Sequence, residues 1–272
     1  MPELPEVEVT IRSLRKKIIG EVIEKINIFY LPSFKSAYNL TELKGKEILG
    51  IQRKGKFLLF FLDQDCVMVG HFRMEGKIYI DPIDESEPRH KYENFRILLK
   101  SGKAFRYYDF RKFGGFTLYK KENYLQASGL NQLALDPFLI EPEDFFNKIS
   151  KKKIAIKKIL LDQKLISGIG NIYASEILFL AKINPEKFVS ELNLKQIQLI
   201  ISISKEVLSK AIRYGGTSIS SFEAIGQRGT FQNKLLVYKR DKQDCVLCQN
   251  PIQKKKIGGR STYFCSQCQK DI

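Results

Sequence analysis

Two stretches of the chain carry residue types whose spacing could do chemistry. In the first, Cys245-Val-Leu-Cys248 and Cys265-Ser-Gln-Cys268 form C-x2-C-x16-C-x2-C. Two thiolates two residues apart grip a metal from one turn, and a second pair on a returning strand completes a tetrahedron. The spacing falls in the range used for zinc. The alternative is four free thiols or a redox pair. Four thiolates fill the shell, so one Zn2+ on Cys245, Cys248, Cys265 and Cys268 is expected to build structure and do no chemistry. Between the pairs, Lys254, Lys255 and Lys256 precede Gly258-Gly259-Arg260. This reads as a hairpin whose returning strand presents Arg260 to phosphate; a solvated basic face is the plainer account of the lysines. The fifth cysteine, Cys66, lies in an apolar strand pattern and is expected in the core.

The second stretch is MPELPEVEVTIRSL. Removal of Met1 would leave Pro2 as a secondary amine. An α-amine titrates at about 7.7–8.0, well below lysine, and the positive end of a helix lowers it further. Attack of such an amine on a sugar or aldehyde carbon gives an iminium. Glu3 is adjacent, and Glu6 lies one turn on, on the same face. A carboxylic acid there could protonate a leaving or ring oxygen. The competing account is a plain helix start, in which proline suits the first turn and Glu3, Glu6 and Glu8 complement the dipole. On chemistry alone that account is the stronger one.

The 46 Lys+Arg against 30 Asp+Glu give a formal net charge of +16. The excess points to a polyanionic partner, nucleic acid first. A generally lysine-rich composition or an acidic membrane surface would also suit it. No apolar run reaches the length of a spanning helix. The start has no basic-then-apolar secretion signal, and the odd, clustered cysteines fit a reducing cytosol. A cytoplasmic protein is expected.

The elements that must position these groups follow from periodicity. Leu4, Val7, Ile11, Leu14 and Ile18 step by 3 and 4, which predicts an amphipathic helix over 3–18. Residues 21–119 alternate as strands, with RKGK at 53–56 and KSGK at 100–103 as hairpin turns. Two packed sheets are expected. Helical patterns cover 142–150, 151–163, 171–183 and 193–214, and ASGLNQLALDP at 127–137 reads as a linker. The Gly-rich stretch at 215–233 is long for a plain loop. No nucleotide-cofactor motif is evident.

Taken together, MPELPEVE, RKGKFLLF, GHFRMEG, YDFRKFG, SGIGNIYASEIL, YGGTS and GRSTYFC with the cysteine pairs resemble the bacterial formamidopyrimidine-DNA glycosylases, over nearly the whole chain. The resemblance implies an α+β fold. An N-terminal helix and β-sandwich (1–130) would be followed by a linker (131–136). A helical domain with a helix–two-turn–helix and a lesion-capping loop (137–233) and a zinc-ribbon hairpin (234–272) would complete it. It implies a monomer acting on duplex DNA that contains oxidised purines or abasic sites, held in a basic cleft. Pro2 matches the family's nucleophile, Glu3 its proton donor and Glu6 a supporting carboxylate. Lys56 matches the lysine at the lesion phosphate, and Asn171 and Arg260 match the other phosphate contacts. Met74, Arg111 and Phe113 match the residues that fill the void left by an extruded base. Glu75 matches a weaker lesion contact, and His71 and His90 match DNA-backbone contacts.

The chain also departs from the family pattern. LNQLALDP stands where Gly-Pro is common, RHKY at 89–92 keeps only His90 of a Lys-His-Asp-His run, YKR at 238–240 replaces Tyr-Gly-Arg, and Lys112 replaces an arginine. The expected activity is excision of 8-oxoguanine and formamidopyrimidines, then β,δ-elimination through a Schiff base. Two rivals remain: an endonuclease VIII-like enzyme for oxidised pyrimidines, against which Leu4 and the long 215–233 stretch speak, and a non-catalytic zinc-ribbon DNA binder.

Overall fold

The computed structural model describes residues 1–36, 38–63, 65–83, 88–218 and 223–270. Two compact units make up the chain: Met1–Asn131 with Tyr214–Thr230, and Gln132–Arg213 with Phe231–Ile272. The expected division kept 137–233 together, whereas the structure groups Tyr214–Thr230 with the first unit. The reason is polar: Thr217 N–H donates to Glu6, and the Tyr79 hydroxyl donates to Glu223.

In the first unit, helix α1 (Leu4–Ile18) has the expected period, and Leu4, Val7, Ile11, Leu14 and Ile18 are all fully buried. Arg15, Lys16 and Lys17 in its last turn suit the negative end of the helix. The strands, numbered in chain order, form two sheets. One pairs β1 (Ile23–Ile28), β7 (Glu93–Leu99), β8 (Lys103–Tyr108) and β6 (Lys77–Pro82) in that order. The other runs β2 (Phe34–Ser36), β9 (Gly115–Lys120), β5 (Cys66–His71), β4 (Phe57–Leu62), β3 (Ile48–Lys54). Arg15 Nε donates to the Ile51 carbonyl (2.7 Å), fastening α1 to β3.

Both hairpin turns lie where the sequence places them. Lys54 pairs with Phe57 around Gly55-Lys56, with Gly55 at φ 57°. Leu98 pairs with Ala104 around a turn with Gly102 at φ 81°. Strand β2, only three residues long and parallel to β9, carries no periodic signal and was not expected. Aromatic rings join the sheets. Phe116 of β9 lies 5.2 Å from Phe95 of β7 and 5.1 Å from Tyr107 of β8. Cys66 is in this core, as expected.

After the short α2 (Tyr124–Ala127) of the first unit, the second unit carries α3 (Pro142–Ile149), α4 (Ile156–Leu161), α5 (Asn171–Leu180) and α6 (Leu194–Arg213) ahead of the hairpin β10 (Gln253–Ile257) and β11 (Arg260–Phe264). Helix α6 starts on a capping box, with Asn193 and Gln196 exchanging backbone-to-side-chain hydrogen bonds at 3.0 and 2.9 Å. The helix expected over 151–163 begins only at Ile156. Residues before it run against the chain at 187–189: Ala155 bridges Phe188, and Val189 N–H donates to the Ile154 carbonyl. Helix α4, two turns and α5 form the helix–two-turn–helix. Among the described residues no helix is long and apolar enough to cross a membrane.

A methyl group at Gly70 of β5 would lie 2.2 Å from Phe116 Cε1. Gly70→Ala is therefore expected to lower stability by about 1–3 kcal/mol through overpacking, read as a lower denaturant midpoint at unchanged slope.

Candidate functional site

Glu3 caps α1 and Pro2 immediately precedes it. Both are buried beside an exposed Met1. The Glu3 N–H donates to Glu6 Oε2 (2.8 Å), one half of a capping box. Glu6 Oε1 accepts from the Thr217 N–H (2.8 Å). Glu6 thus ties the start of the helix to the YGGTS segment. Gly216 crosses Glu6 at φ 79°, where a Cβ would come within 3.0 Å of Oε1. Farther along that segment, Glu223 accepts from Tyr79 (2.9 Å) and faces Lys77 at 3.6 Å and Arg228 at 3.5 Å.

The hairpin turn carrying Lys56 is braced from the same helix. Glu8 pairs with Arg12 (2.9 Å) and Arg53 (3.0 Å), and Arg53 also donates to the Gly55 carbonyl (3.2 Å). Partial burial opposes ionisation of Glu8, but the two guanidiniums outweigh it and hold the carboxyl below its usual range. Lys56 is 7% exposed. His71 of β5 packs edge-on to Phe57 (4.5 Å). Burial, helped by the Arg73 and Lys56 charges, pushes His71 down to about 3. Its Nδ1 accepts from the Arg73 N–H (2.8 Å), so the neutral ring carries its proton on Nε2 as a donor.

Two further turns present the expected void-filling residues. Met74 is half-buried in the β5–β6 turn, next to Glu75. In the β8–β9 turn Asp109 accepts from the N–H groups of Arg111 (3.0 Å) and Gly114 (2.7 Å). That cap leaves Arg111 and Phe113 exposed, with the guanidinium 5.1 Å from the ring centroid. His90 does not join His71. It is exposed among Tyr92 and Tyr108.

In the second unit, Asn171 opens α5 after the extended N-cap Gly170. Asn171 Nδ2 donates to the Ser261 carbonyl (2.8 Å), which brings it beside Arg260 across 90 residues of sequence. Gly258 and Gly259, at φ 57° and 78°, form the two-residue turn that delivers exposed Arg260. Two residues here escaped the sequence reading. Lys157 is fully buried and donates to the Asn171 carbonyl (3.1 Å) and Ser175 Oγ (2.7 Å). Nothing distinguishes it within KKKIAIKK. Glu176 accepts from the N–H groups of Leu236, Val237 and Tyr238 at 2.7, 3.0 and 2.8 Å. Burial pushes its carboxyl up, against those three donors. An acid inside the apolar run of α5 was the available signal.

The four cysteine Sγ atoms lie within 4.8 Å of one another, with Cys245–Cys268 at 3.8 Å and Cys248–Cys265 at 3.4 Å. Tetrahedral zinc with Zn–S bonds near 2.3 Å separates its sulfurs by about 3.8 Å, so the set fits one zinc. N–H groups of Leu247 and Cys268 point at Cys245 Sγ and Cys265 Sγ (3.5 Å each), a shell that suits thiolates.

Residues 1–116 match the formamidopyrimidine-DNA glycosylase N-terminal domain, 133–223 the H2TH domain of the same enzymes, and 242–270 the zinc finger found in FPG and IleRS. The chain belongs to the formamidopyrimidine-DNA glycosylase family. Among its relatives, the Bacillus licheniformis formamidopyrimidine-DNA glycosylase is 40% identical over 277 residues, covering 99% of this chain and 100% of that one. The Mycoplasma mobile enzyme is 39% identical, covering 99% of each. The crystal structure of the Lactococcus lactis enzyme with abasic-site DNA aligns at a TM-score of 0.91 and 37% identity, over 99% of this chain and 100% of that one. Its complex with Fapy-dG DNA aligns at the same TM-score, identity and coverage.

Two measurements follow for this family member. Unfolded, His71 binds a proton below its ordinary 6.5, whereas folded it stays neutral down to about 3. Its contribution is intact above pH 6.5 and is lost as pH falls through that window. Comparing denaturant midpoints at pH 6.5 and 4.5, His71→Gln is expected to show the shallower fall. Separately, Cys248→Ser is expected to lower zinc content, read by atomic emission, and to open 242–270 to protease while α6 stays protected.

Proposed function

We propose that this protein excises oxidised purines from duplex DNA and then cleaves the abasic strand, with Pro2 as nucleophile once Met1 is removed. The observation that carries the reading is the buried cluster at the start of α1, where Pro2 adjoins Glu3 and Glu6 fixes the backbone of both ends. With Met1 attached, the Pro2 nitrogen is an amide whose lone pair is delocalised. Freed, it is a secondary amine at a helix start. Attack on the deoxyribose C1′ displaces the base, and a proton delivered by Glu3 opens the sugar ring at O4′ to leave an iminium. Loss of a proton from C2′ expels the 3′ phosphate, and a second elimination expels the 5′ phosphate, so both sides of the lesion are cut.

The remaining residues take positioning roles in this reading. Lys56 and the neutral Nε2–H of His71 contact the phosphate beside the lesion, and His90 contacts backbone. On the second unit, the other Nδ2 hydrogen of Asn171, the N-terminal end of α5 and the Arg260 guanidinium form a phosphate site. Extrusion of a base costs a few kcal/mol; Met74 and Phe113 fill the gap, Arg111 holds the orphaned partner, and Glu75 touches the damaged base. The stretch at 215–233 covers that base; its residues 219–222 lie outside the described residues. Zinc on the four thiolates supplies no reactive position and holds the hairpin that presents Arg260. Lactococcus lactis relatives crystallised with Fapy-dG and abasic-site DNA support the substrate class.

Borohydride reduction is expected to trap a covalent adduct between abasic DNA and protein whose mass lacks Met1. Protein retaining Met1 should give none. No adduct with the processed protein would support a non-catalytic binder, and preference for thymine glycol over 8-oxoguanine would overturn the purine assignment. Arg260→Ala is expected to weaken binding to an abasic-analogue duplex about tenfold, one charge-assisted contact, with zinc content unchanged.

A further inference from the structure

Met74 stands on the β5–β6 turn, and Arg111 and Phe113 on the β8–β9 turn. One side chain from the core reaches both turns. Tyr107 of β8 is fully buried, stacked on Phe95 (centroids 5.1 Å apart, planes 27° apart) and edge-on to Phe116 (5.1 Å). Those rings fix the phenol, and its hydroxyl lies where the two turns meet. A methyl group built on Gly76, two residues after Met74, would lie 2.6 Å from the Tyr107 oxygen. One built on Gly114, next to Phe113, would strike the same oxygen. Neither glycine has the left-handed backbone that would account for its type. Space accounts for it. GHFRMEG and YDFRKFG each end on glycine, and both final glycines clear one hydroxyl. The Phe72 carbonyl closes the gap from behind, 3.0 Å from a methyl at Gly76 and 2.8 Å from one at Gly114.

The hydroxyl is not in hydrogen-bonding geometry with any described group. Burial, then the charge of the nearby Asp109, pushes the phenol well above the usual tyrosine range, so it keeps its proton. Asp109 itself accepts from the N–H groups of Arg111 and Gly114. A buried hydroxyl without a good partner costs stability, and phenylalanine would fill the same ring space without that cost. This chain keeps the oxygen and gives up two side chains to make room for it. A local choice that weakens the fold is expected where function demands it, and here the demand falls on the two turns the oxygen touches.

We propose that Tyr107 is a positioning residue for base extrusion: its hydroxyl sets the gap between the β5–β6 and β8–β9 turns, so that Met74, Arg111 and Phe113 enter the duplex as one unit. The inference rests on the proposed function, which gives those three residues their work. Tyr107 meets no DNA in this role and acts only through the turns. Without the oxygen each turn settles inward independently, and displacements of a fraction of an ångström at a wedge are costly in rate.

Tyr107→Phe tests the role in protein lacking Met1. Two single-turnover rates are compared: excision of 8-oxoguanine paired with cytosine, which needs extrusion, and cleavage of an abasic duplex, which has no base to extrude. Excision is expected to fall about tenfold and abasic cleavage less than about twofold. The denaturant midpoint should not fall. Wild-type rates in both reactions, or equal falls in both, overturn the role. A double-mutant cycle checks the contact itself without using activity. Gly76→Ala should cost less stability in the Tyr107→Phe background than in wild type; an equal cost means the hydroxyl does not set the turn and overturns the inference. Wild-type protein that neither excises 8-oxoguanine nor is trapped by borohydride on abasic DNA removes the glycosylase reading and this role with it. Excision and trapping by wild type, without a selective loss in Tyr107→Phe, leave that reading standing and remove only the role.

Discussion

A single buried carboxylate organises the first unit. Glu6, 2% exposed, accepts from the backbone of Glu3 at one end and Thr217 at the other. A carboxylate so far from water persists only when its oxygens are paired. Here the pairing groups are main-chain N–H groups, so satisfying Glu6 fixes the start of its own helix and a backbone position 211 residues further along the chain. The start of α1, and Pro2 with it, is set by the same group that holds the turn at Gly216. Glu8, two residues on, works sideways. Through Arg53 it holds the carbonyl of Gly55, and with it the turn bearing Lys56. One helical turn therefore positions two separate backbone segments.

The second unit solves a similar problem with different chemistry. Asn171 and Arg260 come from a helix start and a hairpin turn, and three devices hold them together. Asn171 bonds to Ser261 directly. Glu176 gathers three consecutive N–H groups of residues 236–238, ahead of the cysteine hairpin. Lys157 binds the Asn171 carbonyl from beneath. The four thiolates add the constraint that a small two-stranded hairpin cannot supply by its own core.

Charge is arranged as much as accumulated. Lys56 and Lys157 are buried, and His71 is kept neutral by its own burial and by the Arg73 and Lys56 charges. A third cation beside those two would be costly. A neutral ring whose Nδ1 accepts from the Arg73 N–H still keeps an Nε2–H as a hydrogen-bond donor.

The amino-acid sequence by itself determined α1, both hairpin turns, the start of α6 and the four-cysteine set. Each depends on residues a few positions apart: a 3.6 period, a glycine at positive φ, an Asn–Gln cap, two CxxC pairs. The short β2, the late start of α4 and the membership of Tyr214–Thr230 were not legible, because each rests on hydrogen bonds to distant backbone. Of the candidate site, Pro2, Glu3 and the cysteines stand out by type and spacing. Their flanking partners do not: Lys157 is one lysine among many, and Arg53 one arginine beside a turn. Tertiary structure alone decided that these bury their charges on specific carbonyls and carboxylates. Burial and pairing are properties of what surrounds a residue in space, and local spacing carries no record of them.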